Sequence, residues 1–125
     1  MTVIERWHDY VKQGDPSALD ALIADDCVFQ SPAVHSPQVG KAITLKYLRA
    51  AMLVLNNPTF RYLDEWVLGD KAVLEFEAEV DGLTINGVDM IWWNEAGQIT
   101  RFKVMVRPLK ALNALVARMA AELSR

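Results

Sequence analysis

Cysteine and histidine are scarce in this chain, whose 125 residues include one cysteine, Cys27, and two histidines. A lone cysteine excludes an internal disulfide framework and a cysteine-rich metal site, and the two histidines lack the spacing of a metal-ligand pair. Basic charge is also in short supply, because 13 Lys and Arg stand against 16 Asp and Glu, for a net charge of −3. Nucleic acid is therefore not an expected partner, since a phosphate backbone requires a concentrated basic face. We expect no metal and no cofactor.

Long apolar runs are absent as well. No stretch of eighteen apolar residues is available for a membrane-spanning helix, so we expect no membrane association. Residues 1–6 become amphipathic at once and lack the basic start and apolar stretch of a signal peptide, which predicts a cytoplasmic protein. Apolar residues are nevertheless abundant, at 52% of the chain. This proportion is enough to bury the core of one soluble domain that spans residues 1–125.

Apolar residues at helical spacing predict four helices. The first covers residues 3–13, and the sequence Gly-Asp-Pro at positions 14–16 ends it and starts a short second helix. This second helix is expected to end at the two aspartates of positions 25–26. The third and fourth helices cover residues 41–55 and 109–123. The predicted apolar face of the third helix consists of Ile43, Tyr47, Ala50 and Val54.

Alternating apolar residues predict one short strand at residues 27–30, followed by a meander of four strands. The meander strands cover residues 59–68, 71–80, 84–94 and 98–107, with turn sequences between them. Helices packed on one face of a curled antiparallel sheet satisfy the apolar faces of both. We therefore predict an α+β fold in which three N-terminal helices and a strongly curved antiparallel sheet form a cone that encloses a pocket, with an added C-terminal helix.

Three local motifs accompany this order of elements. They are Gln13-Gly14-Asp15 after the first helix, then Leu22, Asp25, Asp26 and Ser31-Pro32, and on the meander Asp89, Asn94, Gly97 and Ile99. In these motifs and in its element order, over residues 3–107, the chain resembles the ketosteroid isomerase/SnoaL-like family within the nuclear transport factor two-like superfamily. Because one fold hosts many functions, the resemblance is more specific for the fold than for an activity.

The resemblance implies three polar groups in the pocket. In the isomerases these are a general-base Asp in the loop before the third helix, a hydrogen-bonding Tyr on the first helix and a protonated Asp on a central strand. In this chain the three positions hold Ser31, Trp7 and Asp89, respectively. A serine hydroxyl does not abstract a carbon-bound proton unaided, and an indole donates a hydrogen bond but does not ionise. The resemblance thus implies the family's pocket with two of its three catalytic groups changed.

Asp89 and His35 are the candidate catalytic residues. Strand alternation places Asp89 on one face with Ile91 and Trp93, so loss of hydration is expected to raise its pKa and suit it to acid or base catalysis. The alternative is an Asp that is solvated or bonded to backbone. His35 lies in the 31–40 loop, which is expected to close over the mouth of the cone. Its imidazole either replaces the missing loop carboxylate as base or is exposed without a role.

Six further residues are candidates for ligand contact. They are Trp7, Tyr10, Ser31, Tyr47, Trp93 and Phe102. Aromatic walls hold flat apolar ligands, and core packing explains the same aromatic residues equally well. The hydroxyls of Tyr10 and Tyr47 are expected to be better placed than Trp7 to supply the hydrogen bond that the tyrosine on the first helix donates in the isomerases.

Three functions remain open for such a pocket. A cofactor-independent isomerase, cyclase or hydratase would use Asp89 as acid or base on a small hydrophobic substrate, with His35 as its partner. A non-catalytic binding domain would keep the pocket for a small hydrophobic ligand without the chemistry. The third alternative is a dimeric interaction module with a vestigial pocket.

The sequence also predicts a homodimer. Alternation places Met90, Trp92 and Met105 on the outer face of the sheet, where apolar side chains commonly mark an interface. The resemblance implies dimerisation through the same face. The alternative is that the C-terminal helix, residues 109–123, folds back over this face and covers it within one chain.

Overall fold

The computed structural model describes residues 1–125 and contains four helices and one six-stranded sheet, which confirms the predicted α+β class. The helices are α1 (Val3–Gln13), α2 (Pro16–Leu22), α3 (Lys41–Leu55) and α4 (Leu109–Leu123). The strands are β1 (Ile23–Gln30), β2 (Gln38–Val39), β3 (Arg61–Leu68), β4 (Lys71–Val80), β5 (Leu83–Trp93) and β6 (Ile99–Arg107). The four helices include no candidate for a membrane-spanning segment.

Local capping explains where the first two helices begin and end. Thr2 and Glu5 form a reciprocal capping box at the start of α1, and Gly14 ends the helix in the left-handed conformation at φ 69°. Asp15 then caps α2 by accepting a hydrogen bond from the Ser17 amide. These caps fix the connection between α1 and α2, which the Gly-Asp-Pro sequence predicted.

The sheet follows the order β2-β1-β6-β5-β4-β3. The four strands from β3 to β6 form the predicted antiparallel meander, whereas β1 runs parallel to β6. A parallel neighbour requires a long crossover, and here α3 and the rest of the meander supply it. The sheet is therefore not purely antiparallel as predicted, and the short strand β2 within the 31–40 loop was not predicted.

β1 begins earlier than the sequence suggested. Ile23 pairs with Ile99, and the register of the β1–β6 pair shifts between Ile23 and Val28. The exposed Asp25 and Asp26 fall within this irregularity. The two aspartates therefore do not end a helix, and α2 stops at Leu22.

The predicted bounds of α3 are correct, but its predicted apolar face is not. The buried residues of α3 are Thr44, Leu45, Leu48 and Ala50, whereas Ile43, Tyr47 and Val54 are only partly buried. The helix packs against β1 along one side and against α4 along another. Because two neighbours share it, no single stripe of apolar residues describes its buried surface.

Helices α1 and α4 lie at opposite ends of the central strands. The Arg6 guanidinium of α1 donates to the Gly97 carbonyl in the β5–β6 turn at 3.0 Å. At the other end, the Arg118 guanidinium of α4 donates through Nε to Asp81 in the β4–β5 turn at 2.9 Å. The centre of β5 therefore lies between the two helices.

Helix α4 packs on the concave side of the sheet. Its Ala111 and Leu115 form an apolar cluster with Phe76, Val80 and Ile85 of β4 and β5. The alternative in which this helix covers the outer face is therefore wrong, because its apolar residues meet the inward-facing side chains of the strands. No helix of the chain packs on the outer face near Met90 and Trp92, which are partly buried.

Candidate active site

A cavity of about 210 Å³ lies on the concave side of the sheet, and α1, α3, α4, the 31–34 loop segment and the inner faces of β1 and of β3 to β6 line it. Hydrophobic side chains make up 20 of its 24 lining residues. Such a surface suits the hydrocarbon part of a ligand, and the few polar groups within it would decide how that ligand is oriented.

Asp89 supplies the one carboxyl group in the wall. It stands near the middle of β5, paired with Leu74 of β4 on one side and Val104 of β6 on the other. The residue is 7% exposed. Burial raises the pKa of this carboxyl from 3.8 to about 7, and the hydrogen bond from Tyr62 opposes the rise. Asp89 therefore changes its protonation state near neutral pH.

Tyr62 and Trp7 form a hydrogen-bonded chain with Asp89. The Tyr62 hydroxyl donates to Oδ2 of Asp89 at 2.7 Å. The Trp7 indole N–H in turn donates to the Tyr62 hydroxyl oxygen at 2.9 Å. Burial, together with the neighbouring Asp89 charge, raises the pKa of Tyr62 well above its ordinary value, so Tyr62 acts as a neutral donor.

The second carboxyl oxygen of Asp89, Oδ1, makes no hydrogen bond to another residue. Every fully buried polar side-chain atom of the protein has a hydrogen-bond partner. Because Oδ1 has none, it is not fully buried, and it lies at the surface of the cavity that Asp89 lines. Asp89 thus faces the cavity with one oxygen and is held by Tyr62 through the other. A ligand that reaches Oδ1 meets an acid O–H below the carboxyl pKa and an acceptor above it.

An irregularity in β3 positions Tyr62. Tyr62 pairs with Phe76 and Asp64 pairs with Glu75, so Leu63 is an extra residue without a partner on β4. Because Phe76 is an inward-facing residue, the bulge turns Tyr62 toward the cavity. Tyr62 was not among the predicted site residues, and the alternation of apolar residues in the 59–68 segment is the only sequence signal for it.

The structure brings five of the eight predicted site residues to the cavity. They are Trp7, Ser31, Tyr47, Asp89 and Phe102. The Trp7 and Phe102 ring centroids lie 5.0 Å apart, which makes them one continuous patch of wall. The Ser31 hydroxyl accepts a hydrogen bond from the Ala33 amide and thereby shapes the loop.

The other three predicted residues lie outside the cavity wall. Tyr10 is 4% exposed and packs behind Trp7, with 5.5 Å between the ring centroids. Trp93 follows a register shift in the β5–β6 pair. It packs against the larger cluster of buried apolar residues, which includes Val3, Ile4 and Ile99, and does not line the cavity. His35 is exposed on its loop and lines a neighbouring polar depression with Lys103. The structure therefore does not place the His35 imidazole beside Asp89.

The lining residues that are also exposed mark the mouth of the cavity. They are Ala33 and Val34 of the loop, Asn56 at the end of α3, and Val116 and Ala120 of α4. Access thus runs between the loop, the end of α3 and α4. No three His, Cys, Asp or Glu side chains lie close enough together to hold a metal ion.

Comparisons with known proteins agree with this architecture. The family model of the SnoaL-like domain matches residues 4–102. A steroid delta-isomerase from Pseudomonas aeruginosa is 34% identical, with a TM-score of 0.91, and the match covers 98% of this chain and 89% of that one. A bacterial protein with a cystatin-like fold from Silicibacter pomeroyi is also 34% identical, with a TM-score of 0.87 and coverage of 95% and 83%.

An NTF2-like protein of unknown function from Mesorhizobium loti shares the fold at 23% identity, with a TM-score of 0.72 over 85% of this chain and 88% of that one. A search of curated protein sequences gave no significant match. The family match extends over most of the chain and includes Asp89. The chain therefore belongs to the SnoaL-like family, within the nuclear transport factor two-like superfamily that its sequence motifs indicated.

Proposed function

We propose that this protein binds a small hydrophobic molecule in the cavity and holds the polar atom of that molecule at the Asp89 carboxyl. The observation that carries this proposal is the position of one carboxyl group in an otherwise apolar wall, with Oδ1 toward the cavity. Apolar walls bury the body of a ligand, and a single polar group fixes its orientation. A carbonyl oxygen is the matching ligand atom, because it accepts a hydrogen bond from the protonated acid.

The same group supports an enzymatic form of the proposal. With a pKa of about 7, Asp89 is present in both protonation states at neutral pH, as an acid or base catalyst requires. We infer a cofactor-independent isomerase, cyclase or hydratase in which Asp89 gives a proton to the substrate or takes one from it. The steroid delta-isomerase with 34% identity over nearly the whole chain favours this inference.

Two features favour a substrate other than a steroid. By the resemblance of its sequence motifs, the chain has Ser31 and Trp7 in the places of the base and the tyrosine of the isomerases, which leaves Asp89 to move a proton. The cavity, at about 210 Å³, is also smaller than the roughly 300–1,000 Å³ of pockets for drug-sized ligands. Both features support a smaller carbonyl compound and a simpler reaction than the steroid isomerases carry out.

Binding of 2-octanone at two pH values tests the proposal. We expect calorimetry to show affinity up to about 30-fold weaker at pH 8.5 than at pH 5.5, because the protonated fraction of a group with a pKa near 7 falls by that factor. The Asp89→Asn variant keeps an uncharged donor and should bind equally at both pH values. His35→Ala, a control on the loop outside the cavity, should behave as wild type. Equal wild-type affinity at both pH values contradicts the proposal.

A non-catalytic binding domain is the second candidate. It is favoured by Ser31 and Trp7, because neither side chain can replace the catalytic group that the resemblance implies at its position. Deuterium exchange at the carbons next to the ketone carbonyl, followed by NMR in D₂O, separates the two. The enzymatic form predicts exchange catalysed by the wild type and lost in Asp89→Asn. Binding without catalysed exchange assigns the cavity to ligand storage or sensing.

A further inference from the structure

We propose that the part of the cavity between α3 and α4 holds the hydrocarbon tail of a single-headed aliphatic ligand, for example an unbranched ketone or aldehyde. The inference rests on the proposed function in one respect, since it places the polar head of the ligand at Asp89. It adds the chemical class of the ligand and the residues that limit the length of hydrocarbon tail that the cavity accepts.

The placement of the helices gives the cavity its length. Asp89 lies near the middle of β5, and α1 and α4 meet opposite ends of the central strands. The α1 end is filled by the Trp7 ring, which packs against Phe102. Space for the rest of a ligand therefore extends from Asp89 toward α4, where Leu115 and Phe76 belong to one apolar cluster.

The side chains at the α4 end are apolar. Helix α4 contributes Leu115, Val116, Met119, Ala120 and Leu123, and the facing part of α3 contributes Ala51, Met52 and Leu55. No charged side chain of either helix lines the cavity, and Arg118 instead pairs with Asp81 at the surface. A second polar group on the ligand would lose hydration here without a charged partner, which would weaken binding.

One polar side chain at this end, Asn56, is already engaged. Its amide nitrogen donates to the Val11 carbonyl at 2.9 Å and thereby links the end of α3 to α1. The side chain lies at the exposed mouth of the cavity. The contacts that α4 and the facing part of α3 offer to a ligand are thus those for a hydrocarbon chain.

The α4 wall lies outside the region that the family model matches. That match ends at residue 102, whereas α4 begins at Leu109. The shared family region therefore contains the polar end of the cavity, and α4 adds the wall against which the tail would pack. Residues of α4 are consequently the expected determinants of tail length.

Calorimetric titration with a series of 2-alkanones of increasing length tests the inference. Each added methylene that enters the apolar space should tighten binding by about fourfold, the equivalent of about 0.8 kcal/mol. The gain should stop at a limiting length, where the tail reaches the wall. Three variants of α4 then locate that wall.

Ala120→Trp places a large side chain at the mouth between α4 and the loop and should shorten the limiting length by two or more carbons. Met119→Ala removes part of the wall and should lengthen it. Ala121→Trp is the matched control, because Ala121 is exposed on the same helix and does not line the cavity. Its limiting length should equal that of the wild type.

The outcomes separate this inference from the proposed function. The tail site is wrong if ketone affinity depends on pH through Asp89 but does not change with tail length. It is also wrong if Ala120→Trp leaves the limiting length unchanged. In both cases the proposed function stands. If no ketone binds, but n-alkanes raise the Tm of the wild type and not of Ala120→Trp, the tail site stands and the proposed function fails. If neither ketones nor alkanes bind, both are overturned.

Discussion

The Tyr62 hydroxyl and Asp89 Oδ2 lie 2.7 Å apart, although β4 separates the strands that carry them. In a flat sheet, strands two apart are about 9.6 Å from each other, which is beyond an easy side-chain contact of this kind. The curvature of the sheet brings both side chains over Leu74 and Phe76 of β4. The cone shape is thus what allows a tyrosine on an outer strand to hold the central acid.

Tyr62→Phe should raise the pKa of Asp89 above its value of about 7. The Tyr62 hydrogen bond is the interaction that lowers this pKa against the effect of burial, so its removal leaves desolvation unopposed. The carboxyl ¹³C chemical shift of Asp89, followed against pH by NMR, measures the change. Tyr47→Phe removes another hydroxyl from the cavity wall and should leave the titration as it is.

The same Tyr62→Phe change should lower the free energy of unfolding by roughly 1–3 kcal/mol, because the buried Trp7 N–H loses its acceptor. Urea denaturation measures this loss. A Tyr62→Phe protein that is as stable as the wild type and keeps its Asp89 titration would show that the hydrogen-bonded chain does not form in solution.

Asp89 should make the protein less stable as pH rises. A carboxyl group whose pKa is higher in the folded state than in the unfolded state favours folding fully below the unfolded value near 3.9, and this contribution is lost as pH rises through about 7. The difference corresponds to at most about 4 kcal/mol between pH 4 and pH 8. Urea denaturation of the wild type and of Asp89→Asn at both pH values measures the contribution of Asp89 to the free energy of unfolding.

Asn is a close replacement for this purpose, because its side-chain oxygen still accepts from Tyr62 and its amide carries no charge. We expect Asp89→Asn to be more stable than the wild type at pH 8 and to lose that advantage at pH 4. A stability difference between the two proteins that does not vary with pH would mean that Asp89 titrates as an exposed carboxyl group.

Sequence patterns predicted the element order because each boundary carries its own local signal. The bounds of α3, α4 and β4 agree with the prediction: Gly40 and Asn56 flank α3, Pro108 precedes α4, and glycine-containing turns flank β4. Asp89 could be predicted for the same reason, since it lies in a regular stretch of strand whose alternation is unbroken from Ile85 to Ile91. Local rules were sufficient wherever the backbone is regular.

The residues that were missed or misplaced lie where the backbone is irregular. With a two-residue turn at positions 69–70 and no bulge, Tyr62 would pair with Glu77 and point outward, so the extra residue Leu63 decides its orientation. A similar shift follows Trp92 and takes Trp93 away from the cavity. His35 lies in a loop whose path depends on the pairing of β2 with β1. Nothing in the sequence alone specifies these three features.

Gly87→Ala should damage both stability and the cavity. A Cβ at this position would lie 2.6 Å from the Met105 carbonyl oxygen and 2.6 Å from the Phe76 ring, which lines the cavity. Displacement of that ring should cost about 1–3 kcal/mol of unfolding free energy. The measurement is urea denaturation together with 2-octanone affinity.

Phe76→Leu in the Gly87→Ala background provides the matched test, since it removes the ring and leaves the Met105 carbonyl in place. A double-mutant cycle should show that part of the loss is recovered. Additive losses would mean that the added methyl group does not press on Phe76.

The outer face of the sheet should form a homodimer. Trp66 and Met105 are 55% and 48% exposed on this face, and they flank Met90 and Trp92. The Arg101 guanidinium lies 4.3 Å from the Trp92 ring centroid, which leaves a partly covered apolar surface bordered by charge. Such a surface favours self-association about a two-fold axis.

Sedimentation velocity at micromolar concentration tests the dimer. Trp92→Glu should dissociate it while the circular dichroism spectrum stays the same. Leu109→Glu, at a 72% exposed position on α4 away from this face, is the control and should remain dimeric. A wild-type protein that sediments as a monomer rules the dimer out.

The indole of Trp7 gives the hydrogen-bonded chain a fixed polarity. An indole nitrogen has no free lone pair with which to accept, so the chain runs only from Trp7 through Tyr62 to Asp89 and cannot reverse. The chain therefore cannot relay protons between α1 and the Asp89 carboxyl group. Any proton that Asp89 gains or loses must cross the cavity itself, and while a ligand fills that space the proton is shared with the ligand and isolated from bulk water.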